Sequence, residues 1–463
     1  MGVSGLALGG RKALIGLAIV ILGAVGSPLP AGAEAQNVPE PVLNYLASIG
    51  MDPAAVVIQT GDRNYAGPNC PGADWDCTQA SRVVQLGSEQ NQVECTGGGG
   101  SVTGATETCT VMQGVPGQTT GSNTARCIER SSSPAAVQIC SIEQNGANNA
   151  AFVLQEVTAS DDGDQTSSTP TQTADQTTEV TQTTGSGGTN AVSVAQQVTQ
   201  RLHRGTHQSQ DAHQELTINQ NAPGVGSNRS FVEQGQRQDA HGAATQHQNT
   251  SFSGSATPCP AATLYGVGNS PNQCAFIHQG TDSGSNDNQI NQSVDETLRS
   301  PTATDQIQGS FVGGIKAQID LDAGTGQSTN RARQQKNQDA HGPTTANQQQ
   351  IDPMGCCGFS AQGDTSSRET LNQDSAQKAS GTAAVQQLEV FGFVHTPTGG
   401  SCSIAQQASD NADSSSQSSE LADCTAGLGF FTDCTSGVIA GLSPRRTEPV
   451  GACTSAPFFG GGD

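Results

Sequence analysis

Four stretches of this chain alternate an apolar or amide position with a polar one, and each is framed by glutamine and asparagine at fixed intervals. Gln138, Gln144, Asn149 and Gln155 read Gln-x5-Gln-x4-Asn-x5-Gln without a gap. The same order recurs, with a longer interval before asparagine, at Gln176, Gln182, Asn190, Gln196, at Gln214, Gln220, Asn228, Gln234, and at Gln273, Gln279, Asn286, Gln292. Six residues is an even step, and even steps along a β-strand return to the same face. Each unit therefore predicts two short strands with amides at both ends of one face, joined by a tight turn.

The residues between the amides agree with that reading. The amide face carries Cys140, Ile142, Ala151 and Val153 in the first unit, and Thr178, Val180, Val192 and Val194 in the second. It carries Leu216, Ile218, Ser230 and Val232 in the third, and Ala275, Ile277, Asn288 and Ile290 in the fourth. Glu143, Glu179, Glu215, Arg229, Glu233, His278 and Asp287 fall on the opposite face. A degenerate fifth unit reads Gln406, Asn411, Gln417, and a weaker sixth reads Ser367, Gln373, Gly381, Gln387. Val57-Ile58-Gln59 with Asn64, and Val111-Met112-Gln113 with Asn123, read as worn copies. Repetition at this scale predicts an array rather than a globular core.

The spacing resembles the strand-turn-strand repeat of curlin, the subunit of curli amyloid fibres, written Ser-x5-Gln-x4-Asn-x5-Gln. Gln144, Asn149, Gln155 and Gln406, Asn411, Gln417 match its last three positions, whereas the first is glutamine in four units and serine only at Ser367. Three of the best units also stretch the turn. The resemblance implies an extracellular β-solenoid protomer that assembles into fibres of adhesion and biofilm matrix, with these Gln and Asn positions in a structural role. A primary amide donates and accepts at once, so identical side chains about 4.8 Å apart form a hydrogen-bond ladder. A one-residue slip would send that ladder to solvent, which makes the register selective.

Composition fits a thin architecture: 33% of residues are hydrophobic, 3% aromatic, and 57 are glycine, too few large apolar groups for ordinary globular cores in 463 residues. A small-residue solenoid core is one outcome and disorder the other. The formal charge of −22 favours disorder outside the repeats, in Ala159 to Gln172, Ser251 to Pro260, Asp410 to Ser419 and the tail after Pro444.

At the amino terminus, Arg11 and Lys12 precede an apolar run from Ala13 to Val25 and small residues around Ala33-Glu34-Ala35. This reads as a cleaved export signal, the alternative being a membrane anchor; the run is shorter than the roughly 20 residues of a span. No later segment predicts a membrane span. All 14 cysteines follow the cleavage site, an even number that argues for disulfides in an exported chain, with pairing left open. Cys109, Cys140 and Cys402 each stand four residues before a glutamine and face inward, as disulfides or as small buried hydrophobes, while Cys274 faces outward. Cys356 and Cys357 are adjacent and poorly spaced to chelate one ion.

His203, His207 and His213 share parity and offer a surface metal site; the competing reading takes the recurring Gln-Asp-Ala-His at 210–213, 238–241 and 338–341 as a further repeat element. Asp161-Asp162-Gly163-Asp164 lacks the alternating ligands of a calcium loop. No nucleotide, phosphate or zinc-protease motif is present, and 358–363 departs from a nucleophile elbow at Gln362. With 41 acidic against 19 basic residues, nucleic acid is excluded as a partner.

The expected fold is all-β: a curlin-like β-solenoid with irregular or disordered Gly/Ser/Thr/Gln-rich insertions. Expected boundaries are a signal peptide at 1–35, a Cys-rich region with degenerate repeats at 36–135, the repeat region at 136–296, degenerate repeats at 297–420 and a Cys-containing tail at 421–463. The expected function is a secreted, non-enzymatic structural protein without cofactor or metal. Its expected partners are copies of itself or other fibre subunits, with a cell surface or matrix polymer as a further one. The alternative is a monomeric, disulfide-stapled binding module or spacer.

Overall fold

The alternating sequence forms strands almost throughout, and these belong to one 24-stranded sheet. The computed structural model describes residues 56–446 apart from 69–75, 79–81, 97–105, 116, 161–169, 250–272, 310–313, 361–365, 381–384, 396–400, 413–415, 426–434 and 440–444. The export signal, the linker at Ser251 to Pro260 and the end of the tail lie outside the described residues.

Each repeat has two arms. The first carries the Gln-x5-Gln pair and the second the Asn-x5-Gln pair, and each arm lies parallel to the same arm of the next repeat. Residues 135–146 pair with 173–184, and 173–183 with 211–221; residues 148–160 pair with 189–201, and these with 227–239 in the strand Ser227–His241. Among the described strands, antiparallel pairing occurs only near the C-terminal end, at Gln406–Gln407 with Arg445–Arg446 and at Ser419–Asp423 with Thr435–Ile439. The arms are longer than the amide spacing alone predicts, because the alternation continues past Gln196 to Leu202 and past Gln234 to His241.

Repeat length varies without disturbing the stacking. Between the arms, residues 185–188 stand where the preceding repeat has only Ala147. Stacked glutamines are 38 residues apart from Gln144 to Gln182 and from Gln182 to Gln220, but 59 apart from Gln220 to Gln279. The longer interval contains 250–272, which separates Thr245–Gln248 from Gln273–Gly280; both segments stack on the single strand His207–Asn221. At the corner before the second arm, backbones of neighbouring repeats approach so closely that a Cβ on Gly284 would lie 1.7 Å from the Gly226 carbonyl oxygen, so only glycine fits there.

The inward positions named in the four clear units are each at most 5% exposed. Their aliphatic members belong to one continuous core that runs from Ala66 to Leu371, flanked by smaller clusters such as Leu202, Ala240, Leu298 and Ala340. Burying a Val, Ile or Leu contributes about 1.5–3 kcal/mol. A narrow interior therefore gains stability by repeating the same few contacts.

The outer face departs from expectation at two places. Glu215 and Cys274 are in register with one another, yet Glu215 is 8% exposed and Cys274 fully buried. Elsewhere the outer charges pair across strands: Arg229 and Arg331 lie 3.6 and 3.2 Å from the Asp287 carboxylate, and His278 lies 3.1 Å from Asp320. Exposed pairs of this kind contribute at most about 1 kcal/mol each. The expected linker from Ala159 to Gln172 is narrower than its composition indicates. Ala159 and Ser160 end one strand, and Thr171 and the buried Gln172 begin the next.

Candidate functional site

The interior amides are the chemically distinctive feature of the molecule. In the first arm, Gln59, Gln85, Gln113, Gln144, Gln182, Gln220 and Gln279 form an unbroken column, each Nε2 donating to the preceding Oε1 over 2.6–2.8 Å. Beside it stand Gln138, Gln176, Gln214 and Gln273, joined by bonds of 2.8–2.9 Å. In the second arm, Asn64, Asn91, Asn123, Asn149, Asn190, Asn228 and Asn286 are linked at 2.8–2.9 Å. The asparagines donate toward the C-terminal end and the glutamines toward the N-terminal end. A second-arm glutamine column runs through Gln155, Gln196, Gln234, Gln292, Gln334 and Gln373 at 2.8–2.9 Å.

The second amide hydrogen of several of these glutamines ties the arms together. Gln144, Gln182 and Gln220 donate to the backbone carbonyls of Ala150, Ala191 and Arg229 in the opposing arm, at 2.9, 3.0 and 3.1 Å. Gln155 and Gln234 reach Thr177 and Cys274 in the reverse direction, both at 3.1 Å. One side chain thus bonds along the stack and across it, which neither a hydroxyl nor a carboxylate achieves with the same geometry. Removing such a group would orphan several buried partners, at about 1–3 kcal/mol each.

The sixteen amides of the four clear units are each no more than 2% exposed. The degenerate units are phased differently from their sequence reading. Ser367 is in register with Ser328, which is in register with Asn286, so Ser367 belongs to the asparagine position and Gln373 to the column of Gln155. Gln406 is in register with Gln373, whereas Asn411 falls opposite Lys378 and Gln417 opposite Gln386. Asn411 shares the strand Ser401–Ala412 with Gln406, so no turn separates them. Spacing cannot distinguish Ser-x5-Gln at the start of a unit from Asn-x5-Gln in its second half, and that ambiguity accounts for the shifted phase.

Three further columns escape the six-residue template. One runs from Gln172 through Gln210, Gln248, Gln308 and Gln350, another from Gln208 through Gln246, Gln306 and Gln348. The third contains Gln200, Gln238, Glu296, Gln338 and Gln377. The recurring Gln-x-Gln at 208–210, 246–248, 306–308 and 348–350 is the signal that marks the first two. The Gln-Asp-Ala-His segments belong to these columns through Gln210, Gln238 and Gln338. His213 is buried while His203 and His207 are exposed, and the His203 ring stacks on His241.

Where columns end or change residue, the polar balance changes. Ile315 and Leu321 follow Gln273 and Gln279 in register, and the Oε1 atoms of both glutamines are buried without a hydrogen-bond partner. At the other end of two columns, Gln138 donates to Glu107 and Gln155 to Glu129, at 3.0 and 2.9 Å. Burial pushes the Glu129 carboxyl up to about 8, against the hydrogen bond from Gln155 and with repulsion from Glu107. Burial likewise raises Glu107. Glu296 interrupts the third of the further columns, accepting from Gln338 at 2.7 Å and from Asn249 at 2.6 Å, with the buried Lys336 ammonium 4.0 Å away.

Cysteines occupy the interior near Glu107 and Glu129. Cys95 and Cys109 form a disulfide, and Cys127 and Cys140 are buried thiols one repeat further on. Cys274 is also disulfide-bonded, whereas the side chains of Cys356, Cys357 and Cys402 lie outside the described residues. No described helix is long and apolar enough to cross a membrane. No protein-family model matches the chain, and no curated protein or solved structure is significantly similar to it.

Proposed function

We propose that the chain is a secreted structural protein, a curlin-like β-solenoid that self-assembles into β-rich fibres for surface adhesion or biofilm matrix. The observation that supports this reading most is the column from Gln59 to Gln279, in which every step is an amide-to-amide bond of 2.6–2.8 Å despite repeats of unequal length. An interior that keeps donors and acceptors aligned over so many layers has the architecture that stacking of further layers extends. Amide ladders and parallel in-register strands are also what the resemblance to curlin implies. Such a protein needs no catalytic group, and its partners are further copies of itself, other fibre subunits, or a surface polymer.

A second reading, a monomeric binding module or spacer, draws on a different observation. Two columns stop at Ile315 and Leu321, so the layers beyond are not copies of those before, and a net charge of −22 opposes close approach of chains. Fibre X-ray diffraction with thioflavin binding on the mature protein at several salt concentrations separates the two. Growing fibres with reflections near 4.8 and 10 Å are expected for the structural protein. A soluble, monodisperse β-protein at every salt concentration would overturn assembly and leave the spacer.

A further inference from the structure

We propose that Cys127 and Cys140 close a second disulfide through the interior, repeating the Cys95–Cys109 bond one layer further along. Register carries the argument. Cys127 lies directly beside Cys95 on parallel strands, and Cys140 lies directly beside Cys109. The bonded pair joins the second arm of one repeat, Gln90–Thr96, to the first arm of the next, Thr106–Gln113, with its Cα atoms 6.1 Å apart. Cys127 in Ser122–Ser131 and Cys140 in Ala135–Ser160 stand in the same relation one repeat later. The sulfurs of Cys109, Cys127 and Cys140 all lie within 4.8 Å of one another.

The other pairings fit less well. Stacked neighbours such as Cys109 and Cys140 are about 4.8 Å apart with parallel side chains, beyond the usual 3.5–4.5 Å between bridged Cβ atoms. A Cys109–Cys127 bond would break the Cys95–Cys109 bond and place Cys95 and Cys140 at opposite ends of the zigzag. Neighbour pairing accommodates all four only as Cys95 with Cys109 and Cys127 with Cys140. A metal held by the same sulfurs requires thiolates, yet burial and the nearby Glu129 carboxyl push both thiols up.

The chemistry is thiol–disulfide exchange with an external disulfide, protein-borne or small. One thiol loses its proton and attacks, a mixed disulfide forms, and the second thiol displaces the oxidant's remaining sulfur. The oxidant leaves as two thiols carrying the two electrons and two protons given up by Cys127 and Cys140. Because the buried thiolate is disfavoured, exchange precedes burial: the bond closes as the layers are laid down. The neighbouring strands Val57–Gln59, Arg63–Ala66 and Arg82–Gln85 are short, so the cross-links lie beside layers that make few backbone bonds.

Protein refolded with glutathione disulfide, alkylated in denaturant and digested with trypsin without reduction tests the assignment. Arg126 and Arg130 flank Cys127, so the expected product is the tetrapeptide 127–130 covalently joined to peptide 131–201, lost on reduction. Alkylation of both Cys127 and Cys140, or either one joined to a different cysteine, would overturn it. So would two free thiols released together with stoichiometric zinc. A folded Cys127→Ser variant is expected to expose one alkylatable thiol, at Cys140; no gain of a thiol there contradicts the pairing.

Discussion

A buried amide in this protein is valuable because it meets two demands at once, a bond to the neighbouring layer and a bond to the opposing arm. Glutamate at the same position meets them only when protonated or next to a donor. Glu129 heads the Gln155 column and has a carboxyl raised to about 8. Its folded value lies above the ordinary 4.5, so the folded state binds the proton more tightly. The associated stability is fully present below about pH 4.5 and is lost as pH rises through about 8. Glu129→Gln should remove that dependence and raise stability at pH 8 by on the order of 1–3 kcal/mol. Thermal unfolding of both proteins between pH 4 and 9 checks this; parallel pH profiles would show that Glu129 titrates normally.

At the scale of the arms, the same logic identifies the weak layer. Glu296 places a carboxylate between Gln238 and Gln338, and the Gln238 Oε1 is left buried without a partner. Asn249, in the left-handed region at φ 54°, bridges the gap by accepting from Gln238 and donating to Glu296. Lys336 supplies the positive charge from a position in register with Val294. Lys336→Val alone should lower stability by about 3–5 kcal/mol, because Glu296 loses its counter-charge. The double variant Glu296→Gln with Lys336→Val should match or exceed the parent, since an amide continues the column and valine stacks on Val294 without leaving a buried charge. Denaturant unfolding of the three proteins tests this, and a double variant as weak as the single would contradict it.

Much of this element-level order was legible in the sequence, because the period of two and the amide spacing are local. The inward residues of the four clear units, from Cys140 to Ile290, follow from parity alone. What parity could not supply was which half of a repeat a lone Ser-x5-Gln belongs to, as at Ser367, or that Gln208 and Gln246, 38 positions apart, would meet. Nor did it supply the burial of Glu215 and Cys274, since outward parity is not the same as solvent exposure. His203, His207 and His213 share parity but not surroundings, because His203 follows the strand that ends at Leu202 while His207 and His213 lie on the next.

For the molecule as a whole, the account holds that parallel, in-register layers are kept aligned by a narrow interior of aliphatic and amide columns, while the outer face tolerates charge and insertion. Ile218 and Glu179 offer the sharpest contrast, because they lie on adjacent strands with opposite facing. Ile218 is fully buried and in register with Val180; Glu179 is exposed beside Thr217. The most direct measurement is far-UV circular dichroism with thermal unfolding of Ile218→Lys and Glu179→Lys beside the parent protein. Ile218→Lys should abolish the β signal or lower the transition steeply, since a lysine would be buried without a partner, while Glu179→Lys should stay close to the parent. Equal losses from both substitutions, or tolerance of both, would contradict the two-faced strand and the stacked interior built on it.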